Sequence, residues 1–503
     1  MAIIAAIRCR MLLLLVICLP AWTAPPITLQ PGDSLNLTLV DPAAPYAITV
    51  KPVPAVHNWF AGAFTNLPTD APVTIEVAMA GTETPANPGG VRKWQGLLPV
   101  VTGADPAAYA TYEWFSKNVE GQWLSGDPLK RGPERDAGQG TTPRQTAVPA
   151  EQAGAYLSAD GRYWSAWREI ETCEALPARQ AFRMTHRFAT PTATVAMRVP
   201  CTPTYLQAFT SRLIEAKRPG VFVDTLGATP DGRSLQVIRL EDPALAPADD
   251  RQTILVIGGE HATEHAASWA ALGMLFHLLE ETPRATALRA GRTWLFVPMQ
   301  DPDGQARGLF NRMTDAWCDI HDPATPPEMF AYARYFSDYV YAGHSLDLTV
   351  SLHNLEANEG PHLISPLADM RYQAAALAGN RAVMHAARQQ GFHIGDPDKP
   401  WSTGFMTFRL YAWAALTYGA LDLAFEVNDR YPARRLSLMQ LQQLGAAMAQ
   451  GIGDWCAGDD GRQWHAQAQA FMAKRMAERT EYYRKKRGGL AKREDFELIY
   501  RGY

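Results

Sequence analysis

The chain has 503 residues, 47% of them hydrophobic, and a formal net charge of −4. That length exceeds one ordinary domain and leads us to expect two, with ample apolar material for a large core. A slightly acidic chain lacks the electrostatic footprint of a nucleic-acid binder, so no nucleic-acid partner is expected.

The chain opens with MAIIAAIRCR, which carries Arg8 and Arg10; the apolar run MLLLLVICLP spans Met11 to Pro20, and the small residues Ala21 and Ala24 follow. Basic, then apolar, then small is the order of a secretory signal peptide, here residues 1–24. The alternative is a membrane anchor, but a spanning helix needs about 20 apolar residues and this run is shorter. A secreted or periplasmic location is expected, with no transmembrane segment once the signal is removed. Cys173, Cys201, Cys318 and Cys456 remain in the mature chain. An exported chain can pair them, and a Cys173–Cys201 bridge is one expectation.

Residues 25–202 are rich in Pro, Gly, Thr and Val, with short alternating runs: SLNLTLV (34–40), YAITVKPV (46–53), VTIEVAM (73–79) and ATVAMRV (193–199). Alternation punctuated by turn residues suggests a β-sandwich-like domain. Within it, residues 121–154 read as a long irregular loop.

The texture changes at Pro203. TYLQAFTSRLIEA reads as a helix, and strands and helices then alternate. Strands are expected at 253–259, 293–299, 346–353 and 420–427, and helices at 263–281, 326–343, 370–390 and 434–452. This pattern predicts an α/β domain over 203–458 with a mixed, largely parallel sheet flanked by helices. Such sheets place their chemistry beyond the carboxyl ends of the strands. His261, Asp301, His353 and Glu426 all fall at or just past a strand end. A basic helical tail completes the chain over 459–503; from Lys474 onward it holds ten Lys/Arg against five Asp/Glu. A solvated helix face is the ordinary explanation for such a tail, and weak contact with an anionic surface the sharper one.

HATEH (261–265) fits two zinc patterns. In H-x-x-E, His261 and Glu264 are both ligands and a distant histidine completes the set. In H-x-x-E-H, His261 and His265 are ligands and the glutamate is the base. The second needs both histidines on one helical turn. Here an apolar strand and Gly258-Gly259 come immediately before, which puts His261 in a loop and favours the first pattern, with His353 as the third ligand. Two nitrogens and a carboxylate around one Zn²⁺ per chain leave an open position for water. Glu426 ends the apolar stretch LDLAF, where a carboxylate has little structural purpose; a rim salt bridge is the plain reading, a general base the functional one.

At this point a resemblance becomes specific. Residues 203–455 resemble the zinc carboxypeptidase family of the carboxypeptidase A type, and most nearly the branch of cytosolic carboxypeptidases, in which a β-sandwich precedes the enzyme. GGEHATE (258–264) is similar to the family's G-x-H-x-x-E, VSLHN (350–354) to the strand bearing the third ligand, and AFEV (424–427) to the strand bearing the catalytic glutamate. VAMRVPCTPTYL (195–206) resembles that branch's domain junction. FVPMQDPDGQARGLFNR (296–312) resembles the P-x-x-N-P-D-G block, which implies that Arg312 polarises the scissile carbonyl. The resemblance implies a hydrolase of peptide or peptide-like substrates with zinc at His261, Glu264 and His353 and Glu426 as base.

Two departures stand out. Asp301 replaces the asparagine of N-P-D-G and is carried as a substrate-side candidate. The family's D-x-N-R, which grips the substrate carboxylate, reads Asp319-Ile320-His321-Asp322 here. Asp322 therefore stands where an arginine is expected, and a carboxylate repels what an arginine binds. Arg307, Arg371 and Arg409 are candidate substitutes. Tyr411 and Tyr418 lie where a catalytic tyrosine belongs, and Tyr418 is taken as the substrate-side candidate. The altered pocket keeps two other functions open: a binding protein on the same scaffold, and a zinc deacylase of the aspartoacylase type. GHSLD (343–347) is a near miss to G-x-S-x-G, but its order of helix, turn and strand is the reverse of what a nucleophile elbow needs.

Overall fold

The computed structural model describes residues 37–78 and 156–196 in part, 198–242, 251–262, 264–307, 327–354, 370–392, 410–427 in part, and 436–486. The expected signal segment, the expected loop over 121–154, Cys318 and the chain beyond 486 lie outside the described residues.

Eight short strands form two four-stranded sheets. One joins β1 (Leu37–Val40), β3 (Ala61–Phe64), β8 (Ala193–Ala196) and β5 (Tyr156–Ser158); the other joins β2 (Ala47–Val50), β4 (Val73–Ala78), β7 (Ala181–His186) and β6 (Thr172–Leu176). Ile75 and Met184 from one sheet share a core with Tyr156 and Val195 from the other, which makes the pair a sandwich. That same core continues into the following domain through Cys201, Tyr205 and Phe209. Cys201 is a buried free thiol, so the expected Cys173–Cys201 bridge is not formed. Burial pushes that thiol's pKa far up and keeps it protonated.

Thr202 caps helix α1 (Pro203–Ala216), with Pro203 at its first position. The second domain is built on a six-stranded sheet in the order β14-β13-β11-β12-β10-β9. Strands β11 (Gln252–Ile257), β12 (Arg292–Val297), β13 (Leu348–His353) and β14 (Leu421–Glu426) are mutually parallel and buried along their whole length. Covered on both faces, they read in the sequence as unbroken apolar runs. The hairpin β9 (Val221–Ala228) and β10 (Ser234–Glu241) extends the sheet antiparallel, an addition absent from the sequence expectation.

Helix α2 (His265–Leu278) follows β11 and is buried nearly all round. It is crossed closely by α7 (Leu438–Ala457): a Cβ on Gly445 would lie 2.1 Å from the Ala270 carbonyl oxygen, so only glycine allows the approach. The other helices are α3 (Pro283–Arg289), α4 (Pro302–Arg307), α5 (Pro327–Tyr341), α6 (Met370–Gln389) and α8 (Asp459–Lys486). The first turns of α8 are part of the domain and not a free tail: Trp464 is buried, and the Phe471 ring lies against Gly419. Among the described residues no helix is long and apolar enough to cross a membrane.

Candidate metal centre

The site begins with how β11 ends. Beyond Ile257 the chain stays tied to the β12 side: Gly258 N–H donates to Val297 O, Gln300 N–H to Gly258 O and Asp301 N–H to Gly259 O, at 2.9, 2.9 and 3.2 Å. Gly259 has φ +65°, a left-handed turn that a side chain would strain, and its Cα faces Ser268 on α2. This turn lifts His261 clear of the strand and delivers Glu264 to the N-cap of α2. Asn354, just past β13, accepts the Ala267 N–H at 3.3 Å and so ties the end of that strand to the first turn of α2.

Three buried groups converge there. His261 Nδ1 is 2.8 Å from Glu264 Oε1, His353 Nδ1 is 3.2 Å from Glu264 Oε2, and the two Nδ1 atoms are 3.2 Å apart. All of their potential ligand atoms lie within 4.8 Å of one another. Each imidazole can donate an Nδ1 proton to Glu264, but the two Nδ1 atoms, 3.2 Å apart, then oppose each other proton to proton. Protons can relieve only part of that opposition, whereas one cation relieves all of it. The donor set of two histidine nitrogens and one carboxylate fits zinc with a position left open.

The electrostatics agree. Burial alone would raise the Glu264 pKa, but the charge and hydrogen bond of His261 and the hydrogen bond of His353 outweigh it, and the carboxyl is held well below the usual range. His353 is pushed down by burial, yet its bond to Glu264 and the charges of Glu260, Glu264 and Glu426 carry it upward overall. Glu426 is the register partner of His353 across the parallel pair, so both end their strands side by side at the rim.

His265 takes no part. Its Nδ1 turns to Cys201 N at 3.0 Å and Gln305 Nε2 at 2.9 Å, and burial pushes its pKa down to about 3, which keeps it neutral. The cluster has the spacing of H-x-x-E with a distant histidine, and His265 lies outside it.

The remaining candidates fall differently. Asp301 is fully buried, and its Oδ1 accepts the Gly304 N–H at 2.8 Å, capping the short helix α4. That is a local structural role. Its neighbour Asp303 accepts from Thr229 Oγ1 at 2.6 Å, Asp231 N at 3.1 Å and Arg233 at 2.8 Å, so the turn of the β9–β10 hairpin clamps α4 in place. The Tyr418 hydroxyl is paired with Ser337 Oγ at 2.6 Å in the core. It is Tyr411 whose ring meets His353 edge-on at 6.2 Å. Arg312, Asp322 and Arg409, and the side chains of Arg307 and Arg371, lie outside the described residues. Sequence reading missed Glu260, a carboxylate only 2% exposed and 3.4 Å from His353 Nε2; the one signal was an acidic residue between two glycines and a ligand.

A zinc carboxypeptidase family model matches residues 207–317, a span that includes His261 and Glu264. Solved structures share the fold. A carboxypeptidase A-like protein from Shewanella denitrificans is 17% identical, covering 82% of this chain and 94% of its own, with a TM-score of 0.56. The metallo-carboxypeptidase of Burkholderia cenocepacia is 16% identical over 82% and 94%, with a TM-score of 0.55. That of Pseudomonas aeruginosa, solved with (2-guanidinoethylmercapto)succinic acid, is 14% identical over 83% and 95%, with a TM-score of 0.54. No curated protein sequence matches the chain.

Proposed function

We propose that this chain, whose second domain is of the zinc carboxypeptidase type, is an exported metallocarboxypeptidase that hydrolyses a peptide or amide bond with Glu426 as general base. The observation that carries the reading is the convergence of His261, Glu264 and His353 at the rim, with Glu426 beside His353 in register. His261 and His353 offer Nδ1, and Glu264 its carboxylate, to one zinc ion. Bound there, zinc would lower the pKa of a water to roughly 7 and polarise a scissile carbonyl.

The protein's own groups do the rest. Glu426 ends a strand buried along its whole length and keeps 9% exposure at the rim. Its carboxylate accepts the proton of the attacking water and passes it to the departing amine. The buried walls exclude bulk water and strengthen every charge interaction within. Asp322, in place of an arginine, turns the preference away from simple substrates with a free C-terminal carboxylate. Export rests on the leader at residues 1–24.

The test is turnover of a panel of peptides and acyl-amino acids by zinc-loaded protein, with Glu426→Gln as control. Hydrolysis by the wild type and its loss in the variant are expected. A zinc-loaded wild type that cleaves nothing in the panel, or a variant as fast as wild type, would sink the reading.

A further inference from the structure

We propose that Glu260 is a positioning residue of this centre: with Ser351, it holds Nε2 of His353 and so presents Nδ1 to the metal. The inference rests on the zinc reading above and adds to it a residue outside the ligand set.

His353 has two ring nitrogens with different surroundings. Nδ1 faces His261 and Glu264, each at 3.2 Å. Nε2 is 3.0 Å from Ser351 Oγ and 3.4 Å from Glu260 Oε2. A neutral imidazole that ligates through Nδ1 must carry its proton on Nε2, and the acceptor of that proton fixes both tautomer and ring orientation. Ser351 Oγ is the hydrogen-bond partner of Nε2, and the Glu260 carboxylate, 3.4 Å away, adds an electrostatic hold on the same nitrogen.

Glu260 follows a wholly buried strand and the Gly258-Gly259 turn, and it is 2% exposed. A carboxylate buried to that degree costs several kcal/mol unless it is compensated. A divalent ion among the three carboxylates of Glu260, Glu264 and Glu426 would supply that compensation, and Glu260 lies outside the ligand set, so the open position stays open.

The experiment compares wild type, Glu260→Gln, Glu260→Ala and Ser351→Ala, with His353→Ala as reference. Zinc affinity is measured by competition with a chromophoric chelator, and the metal-free thermal midpoint is recorded alongside. Glu260→Ala should weaken zinc ~10–100-fold, the range for an outer-shell partner of a ligating histidine. The isosteric Glu260→Gln, which keeps an acceptor but loses the charge, should weaken it less, and it keeps the test readable where the alanine variant does not fold. The metal-free midpoint of Glu260→Gln should hold while zinc affinity falls; a fall in the midpoint with zinc affinity unchanged would mark a purely structural glutamate. Wild-type zinc affinity in both Glu260 variants, with loss only in Ser351→Ala, would overturn the inference while leaving the zinc reading intact. If wild type binds no zinc, or His353→Ala binds as well as wild type, it is the zinc reading that fails.

Discussion

The same sheet carries a buried histidine–carboxylate cluster at each end, and the two are wired in opposite ways. At the lower end Asp347, just before β13, accepts from Thr253 N at 2.7 Å, Ser345 Oγ at 2.6 Å and His465 Nδ1 at 2.5 Å. Its carbonyl oxygen accepts from Trp464 Nε1 and Leu421 N. Every contact there is donor against acceptor, so the cluster is complete without any guest. At the upper rim His261, Glu264 and His353 turn lone pairs toward a common point. Residue type alone does not separate these clusters; the direction of the donors does. The lower one locks α8 to the sheet, and the upper one gathers two imidazoles and a carboxylate, the donor set a zinc ion takes.

The sharpest way to break this contrast is to delete one ligand from the rim. His353→Ala should abolish zinc binding and, with it, hydrolysis, measured by metal content after dialysis and by turnover. If that variant retained stoichiometric zinc, the rim would be as self-contained as the lower cluster and the comparison would collapse. Next in size is Glu426→Gln. It should keep zinc and the fold but lose at least ~10²-fold in kcat. That outcome would place the base beside the metal and not in the ligand set.

At the lower end the expected effect has a different character. Asp347→Ala leaves His465 and the Thr253 amide without their buried partner. Breaking a buried charged pair costs roughly 3–5 kcal/mol. Denaturant midpoints should fall accordingly, while zinc affinity of the folded fraction stays at the wild-type value. A loss of zinc affinity with no loss of stability would mean that the two ends are coupled.

How much of this was legible in the sequence depended on burial. The four parallel strands were readable because strands covered on both faces must be apolar throughout. Strand β9 was not: it is an edge strand whose residues are mostly part-exposed, so it offers no run and little alternation. The candidate ligands were readable because His353 ends β13 and His261 and Glu264 follow the turn out of β11, where topology gathers them. His353 and Glu426 lie 73 positions apart in the chain, yet the parallel register makes them neighbours. Glu260 was not readable, because its partner nitrogen belongs to a residue on another strand. Between Tyr411 and Tyr418 the sequence offered no means of choice. Only packing turns one ring to His353 and commits the other hydroxyl to Ser337.

The smallest effect is expected at His265, and it tests whether the rim ends where the ligands end. His265 is next in sequence to Glu264, yet its imidazole points to the domain junction. There it meets the Cys201 backbone and Gln305 on α4. Its surroundings resemble the lower cluster more than the candidate metal centre: protein groups meet its Nδ1, and among the described residues it is not grouped with other candidate ligands. His265→Ala should therefore keep one zinc per chain and lose about 1–3 kcal/mol of stability, the cost of leaving buried partners unpaired. His265→Asn, whose side-chain oxygen can take the place of Nδ1 as acceptor from Cys201 N, should recover part of that loss. Metal content and denaturant midpoints measured on both variants decide the matter. Loss of zinc in His265→Ala, with His353→Ala still loaded, would reverse the assignment of ligands and return the site to the H-x-x-E-H pattern.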